Sequence, residues 1–477
     1  MMQSIRRLLI YTGIALISGL LILGLSVPVS IYEMPDDLLI VDNDHPIALD
    51  NASIVDVING RIIRSQKILI RDGKIETIQP AENRAALDPE FTRIDLKGAF
   101  VSPGLFDMHV HIHDRKYLGL YLAYGVTTVR NLRGLPMHLR WKQEISSGEW
   151  LGSNLITSSP VLDGEKYSHL LQEVVTSPGT ARELVIKYKA DGYDLIKAYG
   201  FLDADVYEAI VDEAAGLDFP VAKHGTVPVE GLDYSSIQNL QSLEHVEDLF
   251  QGPLNFEFDE SQIEKEVEKL AAIDAVVTPT LATFEHLTRL STEKEAFVAS
   301  LPLNTLNPLY ARIFRESTVQ RWLDAAPEQG EFNQREMAFL QTIVKEMDRQ
   351  GIKMLLGSDG GTMYMPAGLS THDELRLMQE SGLSPQAVLQ SATKNAAEAL
   401  GIAEQTGAVE PGKIADLVIT SESPLDDVSA LANPLAVVKY GQWLGQSELD
   451  ALLTSGQNPS SLYVSVGRLL EDLLSRL

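Results

Sequence analysis

The strongest constraint on the fold is an alternation running through the middle of the chain, in which short apolar runs are separated by stretches of helical periodicity. The runs are Leu105–His113, Val126–Leu132, Asn154–Leu162, Asp194–Tyr199, Pro220–Gly225, Ser242–Val246, Ala275–Thr283 and Ile352–Asp359. Such runs bounded by helices mark βα units around a parallel sheet, whose strands are covered on both faces. Helical patterns fit between several of them, as at Asp203–Ala215 and Ser261–Ile273. Eight units predict an α/β fold, a (β/α)8 TIM-like barrel over residues 104–404. The longest interval, Phe284 to Gln350, holds more helix than a crossover needs. Loops after strands line the mouth of such a barrel, so this insertion is a candidate lid or specificity element; the alternative is that it packs outside the barrel.

The two ends of the chain read differently. SIVDVING, RIIRSQKILI and KIETI alternate around an Asp72-Gly73 turn, a hairpin signal, and ADLVIT and LAVVKYGQWL follow the turn-rich EPGK of Glu410–Lys413. Residues 33–103 and 405–450 are therefore expected to form one small β-sandwich domain together. Residues 451–477 form a helical tail whose LYVSVGRLLEDLLSRL is amphipathic and suited to packing. At the N-terminus, Arg6 and Arg7 precede an uncharged run from Leu8 to Tyr32. Its length and basic flank predict a signal anchor or transmembrane helix within residues 1–32, with the catalytic body extracytoplasmic, periplasmic or at the cell surface. A secreted protein is the alternative if the segment is cleaved, although no small-residue cleavage site stands out.

The 45% hydrophobic content is that of a globular protein with a sizeable core, and the net charge of −27 argues against a nucleic-acid partner. The expected partners are a small-molecule or short-peptide substrate and a membrane through the N-terminal segment, with a homo-oligomer left open. With no cysteine in the chain, disulfides and thiolate metal sites are excluded, and any metal is held by nitrogen and oxygen.

Catalytic residues in this architecture sit at the C-terminal ends of the strands. Those ends carry His109 and His111, then Lys197, His224, His245 and Asp359. In LFDMHVHIHD side chains alternate, so His109, His111 and His113 share one face, and imidazoles so placed can grip a metal ion. Singly, each residue has an ordinary explanation as a core histidine, a surface lysine or a Ser-Asp-Gly turn; the argument lies in their falling together at one end of the sheet. Lys197 is the informative one, because DLIKAY sets a cation in an apolar strand where an unpaired ammonium is costly. A buried lysine tends to be neutral, and a neutral amine reacts with carbon dioxide to give a carbamate able to bridge two metals. Two divalent ions are then expected, His109, His111 and Asp359 on one and His224 and His245 on the other, with carboxylated Lys197 and a hydroxide between them. The donor set favours zinc, with manganese, cobalt or iron as alternatives.

On these and other pieces the chain resembles the amidohydrolase superfamily. The matching stretches are PGLFDMHVH, GVTTVRNL at Gly125–Leu132, DLIKAYG at Asp194–Gly200, AKHG at Ala222–Gly225, LEHVED at Leu243–Asp248, GSDGG at Gly357–Gly361, and the closing ATKNAAEALGI with GAVEPGKIADLVI. The resemblance implies a two-part β-domain and a metal-bearing barrel. Lys197 and the insertion are most similar to the imidazolonepropionase-related branch that includes prolidase-like enzymes and Xaa-Pro or basic-residue carboxypeptidases. Imidazolonepropionases themselves and the purine and pyrimidine deaminases usually work with one metal and lack the lysine. The superfamily pattern uses the first two histidines of the strand, which leaves His113 as a supporting residue.

The expected reaction is hydrolysis of a C–N amide bond in a peptide, dipeptide or N-acyl amino acid, with Asp359 carrying the proton from the attacking hydroxide to the leaving nitrogen. Candidate substrate contacts are Tyr199, on the same strand face as Lys197, and Tyr167, His169 and Arg133 in loops after earlier strands. The competing readings are hydrolysis of a cyclic amide, lactone or other small molecule, and a non-catalytic, membrane-tethered binding protein.

Overall fold

The computed structural model describes residues 11, 19, 21–40, 45–83, 88–167 and 172–476. In chain order the strands are β1 (Ile47–Asp56), β2 (Arg61–Arg71), β3 (Lys74–Pro80), β4 (Thr92–Asp95) and β5 (Phe100–Pro103). Next come β6 (Leu105–Val110), β7 (Val126–Asn131), β8 (Asn154–Asp163), β9 (Gln172–Val174), β10 (Leu195–Ala198), β11 (Val221–His224), β12 (Ser242–Glu244), β13 (Val276–Thr278) and β14 (Lys353–Met354). The last three are β15 (Leu417–Thr420), β16 (Ala436–Lys439) and β17 (Gln442–Leu444).

Strands from both ends of the chain share one mixed sheet, in the order β17-β16-β15-β5-β1-β2-β3 with β4 on β1. Its inner face packs Ile47, Leu49, Ile54, Ile68, Ile70 and Ile75 from the front of the chain with Leu417, Ile419 and Val438 from the back. Apolar residues at alternate positions on each strand produce this face. The β2–β3 hairpin turns at Asp72 and Gly73, both with positive φ, as an Asp-Gly turn between twisted strands requires.

The second sheet runs β14-β13-β12-β11-β10-β8-β7-β6, all parallel, with β9 on β8. Helices such as Ala204–Gly216 and Ile263–Ala271 cover it, burying Val206, Ile210 and Ala214, or Ile263, Val267 and Leu270, on one stripe each. The sheet is curled, giving a mixed α/β fold consistent with a TIM-like barrel. Its edges meet where Met108 N–H donates to Leu356 O (2.8 Å), Asp359 N–H to His109 O (2.7 Å) and His111 N–H to Gly360 O (2.8 Å). That seam puts the first and last predicted strand ends side by side.

Several strands end sooner than their apolar runs. The run from Ala275 leaves the sheet at Thr278, because Pro279 has no N–H to give and Thr280 turns into the left-handed region (φ +57°) before the helix Leu281–Thr292. The insertion folds into helices Glu295–Ser300, Pro308–Phe314, Gln320–Leu323 and Pro327–Arg349, the first three linked by short turns and a π-helical turn at Arg315–Val319. The tail is the helices Gln446–Gly456 and Leu462–Ser475.

The membrane anchor expected at residues 1–32 is not borne out. No helix among the described residues is long and apolar enough to cross a membrane. The described helical stretch 21–32, rising about 1.5 Å per residue, falls short of a hydrocarbon core about 30 Å thick, and the remainder of the predicted span lies largely outside the described residues. The stretch docks instead on the C-terminal helix, where Tyr463 donates to Ile22 O (2.8 Å) and a Cβ at Gly467 would lie 2.1 Å from Ser26 O. Membrane attachment and an extracytoplasmic body are therefore withdrawn as inferences from this segment.

Candidate metal centre

The seam between β6 and the residues after β14 assembles the first group. His109, His111 and Asp359 each offer one ligand atom, and these atoms lie within 4.8 Å of one another, all in buried side chains. His109 Nε2 is 3.6 Å and His111 Nε2 2.9 Å from Asp359 Oδ1. Oδ1 nevertheless has no aligned hydrogen bond, while Oδ2 accepts one from Thr283 (3.2 Å). Two imidazoles and a carboxylate converging without mutual hydrogen bonds are arranged as co-ligands would be.

The orientation of His109 comes from a buried network. Its Nδ1 lies 2.7 Å from Glu244 Oε2, and a carboxylate can only accept, so Nδ1 carries the proton and the Nε2 lone pair faces Asp359. Glu244 Oε1 takes hydrogen bonds from Arg130 (2.8 Å) and Ser242, while Arg130 also donates to Met108 O (2.6 Å). Burial alone would raise the Glu244 carboxyl; the Arg130 charge overrides it and holds the group well below the usual range. Asp107, two residues before His109 on β6, accepts from Ser358 N (3.0 Å) and Thr371 Oγ1 (2.6 Å), which pins the chain before Asp359.

His245 is held by similar logic. Thr280 Oγ1 donates its proton to Pro279 O (2.7 Å), so it accepts from His245 Nδ1 (2.8 Å) and leaves the His245 Nε2 lone pair free. His245, Thr280 and Asp359 all have φ between +57° and +67°. Left-handed backbone at non-glycine residues costs about 1–3 kcal/mol each, and here it clusters at the site.

The second group surrounds Lys197. The His245 ring is 4.5 Å from His224 and 4.6 Å from His109, and the His224 ring is 4.4 Å from Tyr199. Lys197 Nζ is 5.6 Å from the centre of the Tyr199 ring and has no hydrogen-bond partner among the described residues. Burial pushes this amine down to about 8, against the opposing pull of Glu244 and Asp359. His111 is pushed down to about 4 by burial, and His224 and His245 lie well below their usual value for the same reason, so the imidazoles are neutral donors. Burial also pushes Asp359 upward, but the neighbouring His111, His109 and His245 outweigh it and keep the carboxylate ionised.

All six predicted ligands thus come together, with the Tyr199 ring beside His224 and the Arg133 charge felt at Tyr199 and His111. Tyr167 ends a short 3-10 turn, and His169 lies outside the described residues. His113 falls past the end of β6 and stacks on Tyr310 of the insertion (3.9 Å, 16°), beside Phe314, so part of the insertion reaches the mouth of the sheet. Glu244, Thr280, Thr283 and His138 were not singled out from the sequence. His138 accepts from Leu135 N–H (2.9 Å) through Nδ1 and faces Ile112 O (2.7 Å) through Nε2, buttressing the segment between His111 and His113.

The amidohydrolase family model matches residues 100–444, most of the chain, from β5 to β17. The chain belongs to the amidohydrolase family. Within that family, 5-methylthioadenosine/S-adenosylhomocysteine deaminase of Teredinibacter turnerae is 22% identical over 416 residues, 83% of this chain and 88% of that enzyme. Local matches to an adenine deaminase and a dihydroorotase span only 15% of the length of those relatives. Among solved structures, bottromycin amidohydrolase superposes with a TM-score of 0.71 at 22% identity, covering 91% of this chain and 93% of its own. A Xaa-Pro dipeptidase with bound methionine in its active site gives 0.63 at 19% identity, covering 84% and 100%. At these identities the two structures speak to the shared fold of the amidohydrolase family.

Proposed function

We propose that this chain is a metal-dependent hydrolase of a C–N amide bond in a dipeptide, another short peptide or an N-acyl amino acid, working within the prolidase-like branch. The observation that carries the reading is the buried Lys197 amine, without an acceptor among the described residues, beside the His224 and His245 imidazoles and the group His109, His111 and Asp359. Divalent ions fit these residues. The donors are nitrogen and oxygen, the His109 and His245 tautomers leave Nε2 free, and Asp359 Oδ1, His224 Nδ1 and Lys197 Nζ are buried without hydrogen-bond partners among the described residues. His109, His111 and Asp359 would hold one ion and His224 and His245 a second, with Lys197, carboxylated, serving both and zinc the first choice.

Bound there, such ions lower the pKa of water toward neutrality and polarise a carbonyl. The chain itself supplies the proton path and the orientation. Asp359, ionised and held through Oδ2 by Thr283, takes the proton of the attacking water and returns it to the leaving nitrogen. Glu244 and Thr280 keep two imidazoles aimed, and the burial of the ligands other than the partly exposed His224 limits competition from bulk water. Residues 104–404 form the catalytic unit in this proposal, with the sheet from both chain ends packed beside it.

The test is metal analysis together with turnover of a dipeptide and N-acyl amino acid library. About two divalent ions per chain are expected, and His224→Ala should lower that number and abolish turnover. A chain fully active without metal overturns the proposal. A one-ion mechanism, nearer to the deaminase relative, gives Lys197 no role and is favoured if a single ion supports full activity.

A further inference from the structure

The helix Leu281–Thr292 begins at the metal centre, and the residues that open it serve both ligand groups. Thr280, just before it, accepts from His245 Nδ1 (2.8 Å), and Thr283, in its first turn, donates to Asp359 Oδ2 (3.2 Å). Thr280 stands at the N-cap position, where a threonine hydroxyl ordinarily accepts from an N–H of the turn that follows. Here the hydroxyl caps no N–H of its own helix, because it donates to Pro279 O and accepts from the imidazole. The N–H groups of that turn therefore need an acceptor from elsewhere.

Glu374 supplies one. It lies on the helix Leu369–Glu380, fully buried, and its Oε2 accepts from Ala282 N–H (2.6 Å), 92 residues away in the chain. The same helix opens with Ser370 and Thr371, which donate to Ser358 Oγ (3.2 Å) and Asp107 Oδ2 (2.6 Å) and so hold the chain that leads into Asp359. The other carboxyl oxygen, Oε1, is buried with no hydrogen-bond partner among the described residues. A carboxyl half satisfied in the core costs more than an apolar side chain of the same size, and what Glu374 gives in return is the turn it holds. Burial pushes the group up to about 8, and Asp107 and Glu285 add to the rise, so near neutrality it is an uncharged acid.

We infer that Glu374 is a positioning residue for the metal centre: through Ala282 it fixes the turn Thr280–Thr283, and through the two threonines it sets His245 in one ligand group and Asp359 in the other. The turn is a single unit, with Thr283 N–H on Thr280 O (3.2 Å), so a shift at Ala282 moves both hydroxyls. The inference rests on the metal-dependent reading and adds to it a residue that itself makes no hydrogen bond to a ligand.

The experiment compares wild type, Glu374→Leu and Glu374→Gln on the full chain by two measurements, chelator competition for zinc and the ring-nitrogen chemical shifts of His245 in the metal-free protein. Glutamine keeps a carbonyl that accepts from Ala282 N–H, whereas leucine keeps the size and loses the acceptor. Glu374→Leu should weaken both ions by about 10-fold or more, the effect of losing a supporting hydrogen bond around ligands, and should turn His245 from one Nδ1-protonated form into a mixture of tautomers. Glu374→Gln should match the wild type in both. A carboxyl with only a structural role would lower the thermal stability of Glu374→Leu and leave zinc affinity and the His245 tautomer unchanged. That result overturns the inference, as does weakening of one ion alone, or a Glu374→Gln that behaves as Glu374→Leu does. If the leucine variant does not fold, Glu374→Asp, whose carboxyl falls one methylene short of Ala282, takes its place with the same expected outcomes. If the wild type binds no zinc, the metal-dependent reading fails and the His245 tautomer decides the role of Glu374; if it binds zinc and cleaves amides while Glu374→Leu leaves His245 and both ions unchanged, the role of Glu374 fails alone.

Discussion

On the β6 side of the site two of the three ligands arrive with a side-chain anchor, His109 on Glu244 and Asp359 on Thr283, while His111 is held only through a backbone whose next residue is buttressed by His138. On the Lys197 side one of the three ligands, His245, is tied, to Thr280, while Lys197 Nζ and His224 Nδ1 are buried with no hydrogen-bond partner among the described residues. A comparison one strand over sharpens the point. Lys223 is as buried as Lys197, and burial pushes both amines down to about 8, yet Lys223 donates to the carbonyls of His224 (2.8 Å) and Val227 (2.7 Å). Burial therefore does not by itself mark a reactive lysine; burial without an acceptor does. The first half is the more nearly finished by the protein's own hydrogen bonds, and the second the less.

The largest effect should come from removing the group on which the unfinished half depends. If Lys197 bridges as proposed, Lys197→Ala should lower kcat by about 1,000-fold or more, since the two ligand groups are then left unlinked. The variant should stay folded, because the amine makes no hydrogen bond among the described residues. Short carboxylic acids should restore part of the rate. Two ions and near-normal turnover in Lys197→Ala would end the bridging role.

In the finished half the damage should appear as lost stability. Glu244→Gln leaves one acceptor oxygen to serve both Arg130 and His109 and strips the charge that neutralises Arg130. Breaking a buried pair this way costs about 3–5 kcal/mol, to be read from urea unfolding of the metal-free protein. A loss below about 1 kcal/mol would mean that the network is not what holds His109.

Much of this was legible in the sequence, and the remainder was hidden for physical reasons. Apolar runs reveal strands and their ends, so His109, His111, Lys197, His224, His245 and Asp359 could be placed at one rim before any distance was known. Glu244 was visible as an acid inside LEHVED, but its partner Arg130 lies 114 residues away and neither pattern nor spacing links them. Thr280 could not be read at all, since its role depends on a left-handed turn that ends β13 early. The N-terminal run misled because apolar character is shared by membrane spans and by helices docked on other helices, and Gly467 and Tyr463, which receive it, stand at the other end of the chain.

His138 gives a pH test of the finished half. Burial pushes its imidazole down to about 4 in the fold, below an ordinary value of 6.5. As pH falls from 6.5 toward 4, the unfolded chain takes up the proton first, so stability present above 6.5 is lost progressively on acidification. The full contribution is about 3 kcal/mol, with a slope of up to about 1.4 kcal/mol per pH unit. His138→Gln, which can accept from Leu135 N–H and donate to Ile112 O without titrating, should show a shallower loss across that window in the metal-free protein. Identical slopes would remove His138 from the account.

The smallest effect expected is at the one anchor in the unfinished half. Thr280→Val keeps the shape of the side chain but deletes the oxygen that accepts from His245 Nδ1, so the imidazole is free to rotate or to change tautomer. Loss of such a supporting hydrogen bond lowers metal affinity by about 10–100-fold. Thr280→Ser keeps the oxygen and removes the β-branch from a residue at φ +57°, so it should bind metal as the wild type does and unfold no more easily. The pair separates orientation from packing: valine preserves packing and loses the anchor, while serine does the reverse. Competition with a chelator should therefore strip the second ion from Thr280→Val first and leave the ion on His109, His111 and Asp359 in place. If both ions leave together, the halves act as one unit and the division drawn between them is wrong.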